Sequence, residues 1–385
     1  MKNKLELPKG FQFFGTHIGI KKRKKDFGLI VADKVCHVAA VFTKNQFCGE
    51  CIPIGKEHVA NGELQAVVVT SGVANVATGK TGRENEYRIL AALSQQLGIE
   101  EADILPSSTG MIGPQLPIAL IEEFLKEQPI ALSKNYLDFA EAILTTDKRI
   151  KVQRVKVGDA TILGIVKGSG MIEPNMATML AYVLTDAKIA KEDIYSLLKE
   201  AVDQSFNTIS IDSDTSTSDT VAFLASNYYE VAATELQTAL NQVCKDLALA
   251  VVKDAEGATK TMFVTVKNAQ TPEQAKKAAK AIINSPLVKT ALFGHDPNWG
   301  RIAMALGKTE DVVFDQNKVA ICYGDYPIFA NAHEEKQNIQ IIENYIKENE
   351  EIYLTVDLHQ GAADFQAIGC DLSYDYVEIN SAYST

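Results

Sequence analysis

Two stretches of the 385-residue chain concentrate residues that could do chemistry. From Lys167 to Asp186 the chain reads Lys-Gly-Ser-Gly-Met-Ile-Glu-Pro-Asn-Met-Ala-Thr-Met-Leu-Ala-Tyr-Val-Leu-Thr-Asp. A lysine at a strand end, a glycine-rich turn and a threonine, Thr178, at the mouth of an apolar strand coincide here. Such a turn can deliver a hydroxyl into a pocket. On local sequence alone the plainer reading of Thr178, a β-branched residue opening a strand, is favoured. The second stretch, Pro106-Ser107-Ser108-Thr109-Gly110-Met111-Ile112-Gly113, offers hydroxyls and backbone N–H groups in one turn. Those are the donors an oxyanion hole needs, and also those of an ordinary strand-to-helix turn.

The elements that must position these turns follow from hydrophobic period. Ala66–Val69, Thr161–Val166, Met179–Leu184, Val221–Leu224 and Met262–Val266 read as strands, and Lys151–Val157 joins Thr161–Val166 as a hairpin through Gly158-Asp159-Ala160. Helical spacing recurs over Gly82–Leu97, over Ile189–Ser205 with Ile194, Leu197, Leu198 and Ala201 on one face, and at Leu236, Leu240, Val243 and Leu247. Thr271-Pro272-Glu273-Gln274 is a capping box with proline at the first helical position, opening a helix towards Asn284. The pattern predicts an α/β (α+β) chain with mixed sheets, helices on their outer faces and a smaller C-terminal domain. Short strands at Val312–Phe314, Val319–Cys322 and Ile352–Val356 belong to that domain, with the border near Gln270 to Ser285.

Composition excludes several classes. The chain is 46% hydrophobic and carries 38 basic against 49 acidic residues, a net charge of −11, which lacks the footprint of a nucleic-acid or anionic-membrane binder. The basic run Lys21-Lys22-Arg23-Lys24-Lys25 reads as a solvated loop face. No stretch is long and apolar enough to span a bilayer and the N-terminus has no secretory h-region, so a cytoplasmic protein without nucleic-acid or membrane partners is expected. Six irregularly spaced cysteines do not form a disulfide framework, and Cys48-Gly49-Glu50-Cys51 stands without a second CxxC or a His pair, so no metal site is expected. GxxxxGK[ST], GxGxxG between strand and helix, GxSxG and HExxH are all absent. Asp212-Ser213-Asp214-Thr215-Ser216 begins like a calcium loop, but Thr217 and Phe223 occupy the positions that need Gly and Glu.

The motifs Ser-Thr-Gly-x-Ile-Gly, Thr-Thr-Asp and Lys-Gly-Ser-Gly-Met-Ile-x-Pro-Asn-Met-Ala-Thr-Met-Leu resemble the ornithine acetyltransferase family, the glutamate N-acetyltransferases of the cyclic arginine pathway. The resemblance extends through Gly19-Ile20-Lys21, Asp214-Thr215-Ser216-Thr217, Glu256-Gly257-Ala258-Thr259-Lys260, Ser285 to Ala291, Asp296 to Arg301 and Gly369 to Tyr376.

The resemblance implies an autoprocessed N-terminal-threonine acyltransferase fold. The precursor would cut itself between Ala177 and Thr178, giving an α chain of residues 1–177 and a β chain whose catalytic core is 178–280 and whose C-terminal domain is 281–385, assembled as α2β2. Thr178 would be the nucleophile and its freed α-amino group the base, a group with an intrinsic pKa of about 7.7–8.0. Thr109 and Gly110 match the oxyanion pair. Thr145 (or its neighbour Thr146), Lys167, Thr178, Glu256, Asn380 and Thr385 match the substrate-binding positions. The implied reaction moves the acetyl group of N2-acetyl-L-ornithine to L-glutamate through an acetyl-threonine ester. It exchanges one amide for another, so neither a nucleotide nor another cofactor is required; some members also use acetyl-CoA. An acyltransferase or amidase paralogue with another donor or acceptor, or a non-catalytic binding protein on the same fold, are the alternatives. Thr208, Ser213, Ser218, His295 and Asp364-Phe365-Gln366 depart from the family pattern; the core chemistry is expected to survive these changes, and because every matched substrate position is present the enzyme is expected to accept acetylornithine and glutamate, with a shifted donor or acceptor as the alternative.

Overall fold

The computed structural model describes residues 6–173 and 179–382. Thr178, Ala177 and Thr385 lie outside the described residues. The chain divides into two compact units: residues 1–207 with 215–251, and residues 208–214 with 252–384.

In the first unit, the described strands are β1 (Phe11–Thr16), β2 (Phe27–Phe42), β3 (Glu63–Val73), β4 (Ile104–Met111), β5 (Lys151–Val157), β6 (Ala160–Lys167), β7 (Leu180–Ala187) and β8 (Thr220–Tyr229). They form one mixed sheet in the order β4-β3-β2-β8-β7-β6-β5, with β1 paired to β2. β2 belongs to both halves. Its first part pairs with β3, its register shifts between Val31 and Cys36, and His37–Phe42 pairs with β8. The irregularity lets the sheet fold over on itself. Phe11, Phe13, Ile30, Val67, Val69 and Leu105 of one half then share a core with Leu163, Ile165, Leu180, Tyr182, Leu184 and Leu224 of the other.

Helices cover the outer faces. Gly79–Leu97 and Ile118–Glu127 bring Ile89, Leu90, Leu93, Ile121 and Leu125 onto Phe27, Leu29, Ala66 and Val68. On the other half, Leu247 and Val243 of the helix Ala233–Lys253 close onto β6 at Gly164, where an added Cβ would stand 2.6 Å from Leu247 Cδ1. β7 is buried throughout, as a strand covered on both faces must be, which is why Leu180–Leu184 is a continuous apolar run. The expected α/β architecture with mixed sheets and outer helices is borne out, as is the hairpin, with Val157 opposite Ala160.

In the second unit, β9 (Thr261–Ala269), β10 (Ala320–Tyr323), β11 (Tyr326–Ala330), β12 (His333–Glu334), β13 (Glu351–Asp357) and β14 (Ala363–Cys370) form a sheet in the order β12-β11-β10-β13-β9-β14. The helix Pro272–Ile283 lies on β9 and β14 through Ala275, Ala278, Ala279, Ile282 and Ile283. Its start is as read: the Thr271 hydroxyl accepts from the Gln274 N–H at 3.2 Å with proline in the first turn. Val312–Phe314, expected as a strand, is loop. Val312 and Phe314 pack against the core of this unit without entering the ladder, while Val313 is exposed.

Candidate active site

In the first unit the site is built where strands end. The parallel ladder of β3 and β4 pairs Ser71 with Thr109 and Gly72 with Gly110. Gly110, still within β4, has φ +129°, and a Cβ there would lie 2.3 Å from the Gly72 carbonyl carbon; only glycine allows β4 to approach β3 so closely at its end. Because the sheet folds over, the end of β6 meets the end of β4. The Lys167 Nζ donates to the Thr109 hydroxyl at 3.3 Å.

A buried carboxylate ties the neighbouring segments together. Asp147 accepts from the backbone N–H of Gly168 at 2.7 Å, from the backbone N–H of Thr145 at 3.0 Å and from Lys151 Nζ at 2.7 Å. Burial by itself would raise this carboxyl, but the charges of Lys167 and Lys151 and the Gly168 N–H outweigh it and hold the pKa at about 2. Asp147 therefore fixes the Thr145 turn and the strand end carrying Lys167 with one ionised group. The Thr146 hydroxyl is engaged elsewhere, 2.8 Å from Ser169 Oγ.

Lys21 departs from the expected solvated face. Asp26, fully buried, accepts from the backbone N–H groups of Ile18 at 2.7 Å, Gly19 at 3.1 Å and Lys21 at 2.9 Å. It turns the Lys21 side chain inward to donate to Leu144 O at 2.9 Å, while Lys22, Arg23 and Lys24 remain exposed. Burial pulls its amine down to about 8. Neither Asp147 nor Lys21 was assigned a role from the sequence. Asp147 merely follows two threonines, and the run of five basic residues hid that Lys21 turns inward while Lys25 pairs with Asp138 and Glu141.

On the β8 side, Asp219 is buried and its carboxyl is pushed well up by desolvation, with a hydrogen bond from Ser216 and the Lys167 charge opposing. The parallel register sets Thr220 beside Leu180, with the Thr220 N–H on Met179 O at 2.9 Å.

In the second unit, Asn380 Nδ2 donates to Glu256 Oε2 at 2.8 Å and to Tyr376 O at 3.0 Å. Gly257, at φ +69°, is pressed so close that a Cβ would stand 2.3 Å from the Tyr376 N. Asp371 receives the N–H groups of Thr259 and Lys260, at 2.8 Å and 3.0 Å. The stretch Glu256–Lys260 is thus clasped by Cys370–Tyr376, which aims Glu256 and Asn380 at each other. Lys289, buried, donates to Ile211 O at 2.8 Å and Cys370 O at 2.5 Å, so it serves the scaffold. Ser213 takes φ +63°, the left-handed region where a glycine would be unstrained.

Cys48 and Cys51 are unbonded, Cys51 buried with its thiol pushed up by desolvation. Among the described residues no group of three His, Cys, Asp or Glu could hold a metal ion, and no helix is long and apolar enough to cross a membrane.

Comparison with known proteins agrees along the chain. The ArgJ family model matches residues 12–385. The arginine biosynthesis bifunctional protein ArgJ 2 of Clostridium acetobutylicum is 50% identical over 382 residues, covering 98% of each chain. The protein of the same name from a Nostoc species is 40% identical over 381 residues, again 98% of each. A crystal structure of the Bacillus halodurans arginine biosynthesis bifunctional protein argJ is 33% identical, covers 54% of this chain and 100% of that one, and superposes with a TM-score of 0.49.

Proposed function

The chain belongs to the ArgJ family, and on that premise we propose that it transfers the acetyl group of N2-acetyl-L-ornithine to L-glutamate in arginine biosynthesis. After cleavage between Ala177 and Thr178, the Thr178 hydroxyl attacks the acetyl carbonyl and its proton passes to the Thr178 α-amino group. The carbonyl oxygen becomes an alkoxide, and the Thr109 O–H and Gly110 N–H stabilise it. Collapse breaks the amide C–N bond, the α-ammonium returns the proton to the leaving amine, and ornithine departs from an acetyl ester on Thr178. Glutamate's α-amine then attacks that ester by the reverse sequence and leaves as N-acetylglutamate. Bond type is conserved across the exchange, so no external energy source enters.

The observation that carries this reading is the 3.3 Å contact between Lys167 Nζ and Thr109 Oγ1 at the end of β4, beside Gly110. A donor pair and a cation for a substrate carboxylate converge there. Thr145, Glu256, Asn380 and Thr385 are assigned to substrate as well, Glu256 accepting from its ammonium. The two fragments are assigned to remain together as α2β2, in the cytoplasm.

Single-turnover mixing with acetylornithine tests this. One equivalent of ornithine should be released per cleaved chain, with the acetyl group recovered on the peptide beginning at Thr178. Addition of glutamate should then yield N-acetylglutamate. Ornithine release without an acetylated peptide overturns the ester route, and no transfer at all overturns the function.

A further inference from the structure

The two amino acids that must use one acetyl-threonine site differ in side-chain charge: glutamate ends in a carboxylate, ornithine in an ammonium. Resting on the acetyltransferase reading above, we propose that Lys21 pairs with the side-chain carboxylate of the glutamate acceptor, a second cation beside Lys167 that determines acceptor choice.

Three observations support this. The Ile18–Lys21 loop is anchored by Asp26 through three backbone N–H groups, so the direction of the side chain is set by the fold. Its stem crosses the oxyanion edge: a Cβ on Gly72, the ladder partner of Gly110, would stand 2.8 Å from Lys21 Cγ. Its Nζ reaches Leu144 O, next to Thr145, at 2.9 Å. That carbonyl is the only hydrogen-bond acceptor of the amine among the described residues, which leaves two N–H donors for a ligand.

The neighbouring carboxylates are committed elsewhere. Asp26 is spent on its own loop and Asp147 on Lys151, Gly168 and Thr145. The charged groups facing Lys21 are Asp26 and Asp147, which favour its protonated form, and Lys24 and Lys167, which oppose it. Burial dominates, so the amine sheds its proton to water near pH 8. Lys167 remains available for the α-carboxylate that the two amino acids share.

The test is competition between glutamate and glutamine for acetyl groups from acetylornithine, read as the ratio of the two products. That ratio cancels differences in active fraction and in acylation rate. Lys21→Met should lower the glutamate-to-glutamine ratio at least tenfold, and Lys21→Arg should keep it within threefold. A Lys21→Met ratio within threefold of wild type overturns the proposal. Where Lys21→Met yields no product with either acceptor, the pH dependence of the ratio decides. It should fall in wild type as pH rises through 8 and stay flat in Lys21→Arg, and a wild-type ratio flat to pH 9.5 overturns the assignment. Any difference in titration between the two acceptors' own α-amines appears equally in Lys21→Arg, which is the reference profile. Wild-type protein that makes no N-acetylglutamate from acetylornithine instead overturns the acetyltransferase reading itself.

Discussion

Asp147 and Lys151 form an ion pair at 2.7 Å in which neither side chain has any solvent exposure. Breaking a buried pair by removing one partner typically costs about 3–5 kcal/mol, because the other charge is left uncompensated. Asp147→Asn should destabilise by that order, measured as a fall in the urea midpoint. Replacing both, as Asp147→Leu with Lys151→Met, should recover much of the loss. Activity should not recover with it, since the N–H groups of Thr145 and Gly168 have lost their shared acceptor. A double variant with wild-type kcat/KM would show that the pair serves folding alone.

Thr109 stands at the end of β4 with Lys167 on its hydroxyl. Removing one preorganised oxyanion donor costs about 10²–10³ in turnover, or about 2.7–4 kcal/mol. Thr109→Ala should slow acetylation of Thr178 by that order with a smaller effect on KM. A roughly tenfold rise in KM at unchanged kcat would assign Thr109 to ground-state binding.

Processing is checked on a denaturing gel. Wild type should run as two chains, residues 1–177 and 178–385, and Thr178→Ala as one. An uncut wild type that still transfers acetyl groups would overturn the N-terminal nucleophile.

Much of the fold was legible because its signals are local. The β5–β6 hairpin shows in two β-rich runs joined by Gly158-Asp159-Ala160, and the helix at Pro272 in a threonine cap and a proline. The folding-over of the first sheet was not legible. It depends on one register shift in β2 and on pairings up to nearly two hundred residues apart, His37 with Ala225 among them. The same holds for the site. Thr109, Gly110 and Lys167 were singled out by type and motif, but their convergence needs the folded sheet. Asp147 and Lys21 act through contacts with Gly168 and Leu144 that no local pattern encodes. Val312–Phe314 misled because burial of apolar residues resembles strand pairing when only the sequence is read.

Glu86 is buried in the helix Gly79–Leu97 and held by Asn75 Nδ2 at 2.8 Å. Desolvation raises its pKa from 4.5 to about 7, with the Asn75 hydrogen bond opposing and Glu50 adding to the rise. The folded protein therefore binds a proton that the unfolded chain releases between those values. Stability contributed by the neutral carboxyl is fully present below pH 4.5 and is lost as pH rises through 7. Glu86→Gln keeps an acceptor for Asn75 and removes the titration. Between pH 5 and pH 8 the wild type should lose about 2 kcal/mol more than the variant, from the linkage of a shift of this size. Urea midpoints at the two pH values measure it, and other titrating groups cancel in the difference. Parallel pH dependence of wild type and Glu86→Gln would mean that Glu86 is ionised in the fold near pH 5, with a counter-charge or water supplying what Asn75 alone does not.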